Sequence, residues 1–554
     1  MIDLRLENGR IVAKTPFILK DLCKTIPGAQ WDKQAKAWTY AASPYAAQEI
    51  IEAFSEYDVE DGQGEASVYA LAKKTERIEQ ILKQPETLVP IPETKMPPRE
   101  CQLQGYHLIG ELPGVMLAFE MGVGKTKVVV DAICNDLQRY QRVLIICPKS
   151  VIAVWPKEFE KHARVRPKVL ALDEGGLKKR LTTLDHALTY TNGPVVAIIN
   201  YEAVWQGDMG KYIKAVDWDM VVCDESHKIK SHARSARAST YISRLSATKR
   251  VALTGTPMPH SPLDVWAQYR FLDPSIYGGR FTAFRARYAV MGGFQNHQVL
   301  RFQNMDELNK RFYQIAIRVT KEEVLDLPEQ VDIERLVTLG TEEAKAYREM
   351  QDEFITEIDD GIVTASNALS KMLRLQQITN GFATDEDGET VSVGDTKSSA
   401  YTDLLDDIGE DQPVVTFCRF RCDLDRVIGA AQKVSRTAYE LSGRRNELAA
   451  WQDDTTGSVL AVQIQAGGAG IDLTRSCYCV YYSLGLSLGD YMQSRSRLHR
   501  PGQKHNVTYV HLLAKGTIDE RIYQALCNRH EVVTSVLEMF QDDMNRHAGL
   551  FGHS

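Results

Sequence analysis

Leu117-Ala118-Phe119-Glu120-Met121-Gly122-Val123-Gly124-Lys125-Thr126 reads as an apolar strand that runs into a glycine turn and then opens a helix. A phosphate chain needs unobstructed backbone N–H groups and a helix N-terminus aimed at it, and Gly122 and Gly124 permit that approach. Lys125 is then placed to bridge the β- and γ-phosphates, and the Thr126 hydroxyl to ligate Mg²⁺. The strict pattern has glycine where Phe119 stands, so the match is to the GxGKT core. A glycine turn before a helix that binds nothing is the competing explanation, and a second stretch weighs against it. Met220-Val221-Val222-Cys223-Asp224-Glu225-Ser226-His227 is an apolar strand that ends abruptly in two carboxylates. Both then lie at the C-terminal edge of a sheet, beside the loop. Asp224 can hold Mg²⁺ through water, and Glu225 can orient and deprotonate an attacking water, the two tasks in-line phosphoryl transfer requires.

Outward from these stretches, short β-branched runs at 115–119, 143–147, 195–199, 220–223 and 251–253 are separated by helical lengths. That alternation predicts an α/β fold with a doubly wound parallel sheet. The pattern breaks between about 275 and 395, where Tyr347, Met350, Phe354 and Ile358, then Ala365, Leu369, Met372 and Leu373, recur at helical spacing. Strand runs resume at 414–417, 459–463, 479–482 and 507–513. The expected order is a small α+β domain at 1–60, a linker with a helix at 61–98 and an ATP-binding lobe at 99–274. A helical insertion and inter-lobe segment at 275–395, a second lobe at 396–535 and a tail at 536–554 follow. The acidic residues between Glu49 and Glu65, with no Lys or Arg among them, read as a solvated boundary.

The 554 residues are 44% hydrophobic and 25% charged, which excludes a disordered or collagen-like chain. The longest apolar runs fall far short of a bilayer span, and the first residues alternate charge with apolar side chains, unlike a signal peptide. No membrane partner is expected, and the protein is placed in the cytoplasm or on the nucleoid, or in a host cytoplasm if viral. Ten scattered cysteines without a CxxC pair read as reduced thiols. Lys and Arg number 66 against 73 Asp and Glu, a net charge of −7, so any nucleic acid must be met by a local basic cleft.

Two further stretches point to a motor. Leu253-Thr254-Gly255-Thr256-Pro257 closes a strand with small hydroxyl residues suited to relaying nucleotide state. Gln493-Ser494-Arg495-Ser496-Arg497-Leu498-His499-Arg500-Pro501-Gly502-Gln503 sets Arg497 and Arg500 at i and i+3, on one helical face, where they can neutralise charge on a transferring phosphoryl.

Together these residues resemble the superfamily-two helicase-like ATPases, specifically the Swi/Snf-type DNA translocases, over about residues 96–530. Arg99-Glu100-Cys101-Gln102 resembles the Gln motif, with Gln102 reading adenine. Lys125 and Thr126 match motif I. Pro148-Lys149-Ser150, with Trp155 and Glu158, resembles motif Ia, and Asn200-Tyr201-Glu202 motif Ib. Asp224 to His227 match the DExH box and 253–257 the LTGTP motif. Ile317-Arg318-Val319-Thr320-Lys321 with Leu327-Pro328 is similar to the inter-lobe signature. Thr416-Phe417-Cys418-Arg419 resembles motif IV, Gly467-Gly468-Ala469-Gly470-Ile471-Asp472-Leu473-Thr474 motif V, and 493–503 motif VI. The resemblance implies two RecA-like lobes with ATP and Mg²⁺ between them. Gln102, Lys125, Thr126, Asp224 and Glu225 form one wall, and Gln493, Arg497 and Arg500 belong to the other. Lys149, Ser150, Asn200, Arg419 and Thr474 are the implied contacts to DNA phosphates, which are sequence-independent and salt-sensitive. The chain departs from the family at Phe119 and around Gln463 and Ile464, leaving Gln463 or Gln465 as the replacement donor.

The stretch from Ile26 to Asp32, with Lys36-Ala37-Trp38, resembles the HARP module of annealing helicases in this family. Trp31 and Trp38 beside Lys33 and Lys36 would stack on unpaired bases at branched DNA, or else form the core of a tiny domain. The expectation is an ATP-dependent translocase that acts as a monomer on duplex or branched DNA. A strand-separating helicase on DNA or RNA, and a non-motor ATP switch that scaffolds partners, are the alternatives.

Overall fold

The computed structural model describes residues 1–528 except 8–9, 27, 93, 230–235, 260, 293–297, 360–364, 385–388 and 465–470. The motif V glycines Gly467, Gly468 and Gly470, the candidate donor Gln465 and the tail 536–554 lie outside the described residues. The chain divides into two compact units, Met1–Val324 and Leu325–Ser554.

The first unit begins with a five-stranded sheet. β1 (Ile2–Glu7), β2 (Arg10–Lys14), β3 (Gln30–Asp32), β4 (Ala37–Ala41) and β5 (Val59–Asp61) lie in the order β3-β4-β2-β1-β5. All pairs are antiparallel except β1 with β5. Ile2, Leu4, Ile11, Tyr40, Ile50 and Phe54 fill its core. The acidic stretch expected to be a solvated boundary supplies β5, and Asp61 accepts the Val68 N–H at 2.7 Å to start the next helix. Anionic charge at a helix N-terminus is favourable, which is why the acidic residue is structural here. Ile78 and Ile81 of the helix Lys74–Lys83 then join the core of the following lobe.

That lobe is built on β6 (Gly114–Phe119), β7 (Arg142–Cys147), β8 (Lys168–Ala171), β9 (Val195–Asn200), β10 (Trp218–Asp224) and β11 (Ala247–Leu253). A hairpin of β12 (Ala289–Gly292) and β13 (Gln298–Phe302) precedes β14 (Ala316–Val319), which returns to the sheet. The order β14-β6-β11-β10-β7-β9-β8 is parallel at every pairing. Strands such as β6 and β9 are buried on both faces, as continuous Val, Ile and Leu runs require when helices cover both sides.

In the second unit, β15 (Gln330–Val337) pairs along its whole length with the last strand, and a small hairpin, β16 (Phe382–Thr384) with β17 (Thr390–Ser392), follows the helix Ala365–Thr379. β18 (Val414–Cys418), β19 (Ala438–Leu441), β20 (Val459–Gln463), β21 (Tyr478–Tyr481) and β22 (Val507–Ala514) complete a parallel sheet ordered β15-β22-β21-β18-β20-β19. Both sheets are the doubly wound, RecA-like type expected. The region expected to be a helical insertion also supplies an edge strand to each sheet, β14 and β15, and the boundary between units falls between them. Among the described residues no helix is long and apolar enough to cross a membrane.

His511 is buried in β22, stacked on Tyr481 at 5.0 Å, with Nε2 2.9 Å from the Tyr491 hydroxyl. Burial lowers its pKa from the ordinary 6.5 to about 4. The unfolded chain therefore binds the extra proton between those values, so stability falls as pH drops through that window. Thermal melts of the wild type should lose up to about 3 kcal/mol from pH 7 to pH 4 through this group. His511→Phe, which keeps the stack, should flatten that part of the pH dependence; an unchanged slope would contradict it.

Candidate nucleotide site

β6 delivers the phosphate loop. Phe119, where the strict pattern has glycine, is the last residue of this buried strand, and its carbonyl accepts from Lys125 Nζ at 2.8 Å. Its ring lies under the helix Glu100–Glu111, 3.5 Å from where a Cβ on Gly105 would stand, so it belongs to the core and not to the loop. Gly122 and Gly124 adopt φ of 93° and 98°, the left-handed region that favours glycine. Gly124 precedes the helix Lys125–Cys134, and a Cβ there would meet Gln102 Nε2 at 2.4 Å.

Gln102, expected to read adenine, is buried and holds its amide on the protein. Nε2 donates to the Val123 carbonyl at 2.8 Å, and Oε1 accepts the Arg99 N–H at 3.0 Å. It braces the phosphate loop against the first helix of the lobe. Thr126, one residue into the helix, is half-buried.

β10 delivers Asp224, whose Oδ2 accepts from Trp155 Nε1 at 3.1 Å and whose Oδ1 accepts the Glu225 N–H at 2.9 Å. The Tyr201 hydroxyl donates to the Asp224 carbonyl at 2.8 Å. Burial, and then the charge of Glu225, push the Asp224 carboxyl up to about 7, while Lys125 and the Trp155 N–H pull it down. Glu225 sits at φ 51°, a conformation costly for a residue with a side chain and found mostly where function holds it. Its Oε2 is buried, accepts no hydrogen bond and lies 3.4 Å from His227 Nδ1. These acceptors, with lone pairs to spare near Lys125, fit a hydrated divalent cation of the hard, oxygen-preferring kind.

β11 lies between β6 and β10, so the LTGTP residues emerge between loop and carboxylates. His227 Nδ1 is 3.2 Å from Thr254 Oγ1, which also accepts the Thr256 N–H at 3.1 Å. A second strut runs from the Ser226 hydroxyl, which donates to Gln268 Oε1 at 2.7 Å, through Gln268 Nε2 to the Pro257 carbonyl at 2.6 Å. The sequence sets Trp155 in the motif Ia stretch and His227 in the DExH box without revealing these contacts, and no motif points to the contacts of Gln268. Its signal was present: Gln268 is the lone amide in the apolar helix Val265–Leu272. Gln268→Leu leaves a buried hydroxyl and a carbonyl bare, and should lower the stability of this unit by about 1–3 kcal/mol in chemical denaturation, against less than half of that for a surface change such as Lys211→Ala.

In the second unit the helix Leu488–Leu498 carries Gln493 and Arg497, but Arg500 lies beyond its end. The expected shared helical face is therefore corrected. Pro501 disfavours helical backbone at the residue before it, and His499, at ψ 85°, has already left the helix. Arg500 instead donates to the Ile471 carbonyl at 3.1 Å, while the Arg497 carbonyl accepts the Leu473 N–H at 3.1 Å. Arg495, which has no expected role, anchors the helix: it pairs with Asp332 of β15 at 2.9 Å and stacks 3.8 Å from the Tyr509 ring centre.

The residues expected to meet DNA divide by burial. Lys149 and Ser150 are exposed just beyond β7. Asn200 is buried and donates to Glu202 at 2.7 Å. The Thr474 hydroxyl donates to Asp472 at 2.7 Å. Arg419 is half-buried, with its guanidinium 5.8 Å from the Phe420 ring centre. Trp31 and Trp38 face each other across β3 and β4 at 5.3 Å, yet Trp31 is 50% exposed and Trp38 only 8%. Trp38 is thus a core residue because β4 is flanked on both sides, whereas β3 is the sheet edge.

A family model described as the SNF2-related domain matches residues 34–383. Among curated relatives, an ATP-dependent helicase of Mycoplasma pneumoniae is 26% identical over 442 residues, which cover 76% of this chain and 40% of that protein. Human DNA excision repair protein ERCC-6 is 24% identical over 471 residues, 77% of this chain and 31% of that one. The chain thus spans well under half the length of these relatives. A solved structure, the Sulfolobus solfataricus SWI2/SNF2 ATPase core in complex with dsDNA, is 22% identical and covers 80% of this chain and 93% of that one, with a TM-score of 0.39. With the family model matching well over half of its residues, the chain belongs to the SNF2-related family.

Proposed function

We propose that this protein is a DNA-stimulated ATPase of the Swi/Snf type that uses hydrolysis to translocate along duplex or branched DNA. The observation that carries the reading is the convergence of Lys125, Asp224 and Glu225 on one sheet edge, with two hydrogen-bonded struts leading from the DExH residues to the LTGTP turn. A switch that only bound ATP would need the phosphate loop but no wiring from its water-activating carboxylate to a neighbouring motif.

Thr126 and Asp224 would hold Mg²⁺, which supplies charge neutralisation at the phosphates. Lys125 binds the phosphate chain, the loop glycines open their N–H groups to it, and Glu225 takes the proton of the attacking water. Arg497 and Arg500 neutralise charge that grows on the transferred phosphoryl. Lys149 and Ser150 are the exposed residues through which we expect the lobe to follow DNA phosphates. The N-terminal module, HARP-like in sequence, would add Trp31 with Lys33 and Lys36 as a contact for branched DNA. The site's setting is cytoplasmic or on the nucleoid, with the chain acting as a monomer.

The test is the ATPase rate with no nucleic acid, duplex DNA, single strands and RNA, together with strand displacement on forks. Stimulation by duplex DNA without strand separation supports the reading. Equal rates with and without DNA would reject coupling, and efficient unwinding of RNA or DNA forks would favour the strand-separating alternative.

A further inference from the structure

Between the helix Gly207–Ala215 and the helix Ala236–Ile242 the first lobe has an open hollow of about 510 Å³, lined by Trp205, Lys214, Arg237, Thr240, Tyr241 and Arg244. No motif described above includes these residues. Its lining joins two half-buried aromatic rings, Trp205 and Tyr241, with three exposed cations and no carboxylate. Among the described residues no ion pair or side-chain hydrogen bond occupies Lys214, Arg237 or Arg244, and all three are exposed.

In sequence, residues 227–250 hold seven Lys and Arg and not one Asp or Glu, in a chain whose net charge is −7; of these Arg237 and Arg244 line the hollow, while Lys249 and Arg250 are turned onto the carbonyls of Leu112 and Leu245. Arg244 stands close enough to Arg270 to lower that guanidinium's pKa, after burial. Like charges gathered in a hollow whose described lining holds no carboxylate raise the local potential and favour a polyanion.

We propose that this hollow is a second nucleic-acid site, distinct from the phosphate-tracking residues, and that it takes an unpaired nucleotide segment. The base stacks on Trp205 and Tyr241, and the flanking phosphates meet Lys214, Arg237 and Arg244. The shape selects a single strand over a duplex, because in a paired helix the base faces are already stacked and cannot reach a recessed ring. The volume suits one nucleotide, within the range of small-ligand pockets. An acidic peptide would satisfy the cations but would leave the Trp205 and Tyr241 rings without a flat partner. The proposal goes beyond the duplex translocase reading and does not need it: a site for unpaired strand can exist whether or not duplex DNA drives the ATPase.

The test is fluorescence anisotropy with a labelled oligothymidylate about 12 nucleotides long. Wild type is compared with Arg237→Ala/Arg244→Ala and, separately, with Trp205→Leu, each checked for an unchanged melting temperature. Anisotropy of a labelled duplex and duplex-stimulated ATPase are measured in parallel. The expected result is a loss of roughly tenfold or more in oligothymidylate affinity for both variants, with duplex-stimulated ATPase within about twofold of wild type. Should Trp205→Leu fail to fold, abasic oligonucleotide replaces it, and loss of the bases should cost the wild type as much affinity. Unchanged affinity in the arginine variant would overturn the proposal. So would equal weakening of duplex and single-strand binding, or competition by polyglutamate as strong as by oligothymidylate.

Discussion

Replacing Glu225 with glutamine is expected to lower the rate of ATP hydrolysis by about 10²–10⁴-fold, the usual contribution of a positioned general base, while ATP still binds. The amide keeps the size and shape of the side chain but cannot take the water's proton. In the proposed reaction Lys125 and the loop N–H groups bind the phosphates and Glu225 does not, so the effect should fall on kcat. The strained backbone at φ 51° and the buried Oε2, with His227 3.4 Å away, show a carboxylate held in one place at some conformational cost. Steady-state hydrolysis together with binding of a fluorescent ATP analogue separates the two parameters. A variant that hydrolyses ATP normally would remove Glu225 from the reaction.

Arg497→Ala is expected to cost about 10³-fold in turnover, the scale of an arginine that neutralises transition-state charge in phosphoryl transfer. Lysine should rescue little, because a point charge cannot reproduce the planar fork. The helix that carries Arg497 is fixed by Arg495 against Asp332 and Tyr509, and by the bond from the Leu473 N–H to the Arg497 carbonyl. Arg497→Ala should therefore leave the fold intact, and a far-ultraviolet melt coincident with wild type would show it. A loss in turnover of less than tenfold would show that this arginine is not part of the hydrolytic machinery.

Much of this arrangement was legible in the residues. The GxGKT core and the strand ending in Asp224 and Glu225 announce themselves because phosphate binding and phosphoryl transfer need particular residue types at a strand end, and period and spacing reveal strand ends. The two parallel sheets followed from alternating β-branched runs and helical lengths. What sequence could not place were interactions between distant segments. Gln268 reaches Ser226 across 42 positions, and Trp155 reaches Asp224 across 69. Neither spacing carries a local pattern. Gln102 shows the other limit: an amide can read a base or brace a loop with the same atoms, and only its distances to Val123 and Arg99 reveal the brace. The pairing of Arg497 with Arg500 on one helix failed for a local reason that was visible in advance, the proline at 501. Trp31 and Trp38 separated because an edge strand and a central strand bury the same residue type differently.

If hydrolysis drives movement along DNA as proposed, the protein should displace a labelled third strand from a triplex embedded in a long duplex, which measures movement without requiring strand separation of the duplex. Displacement that requires ATP, and that Lys125→Ala abolishes, is the predicted result. ATP turnover stimulated by the same duplex with the third strand left in place would contradict it.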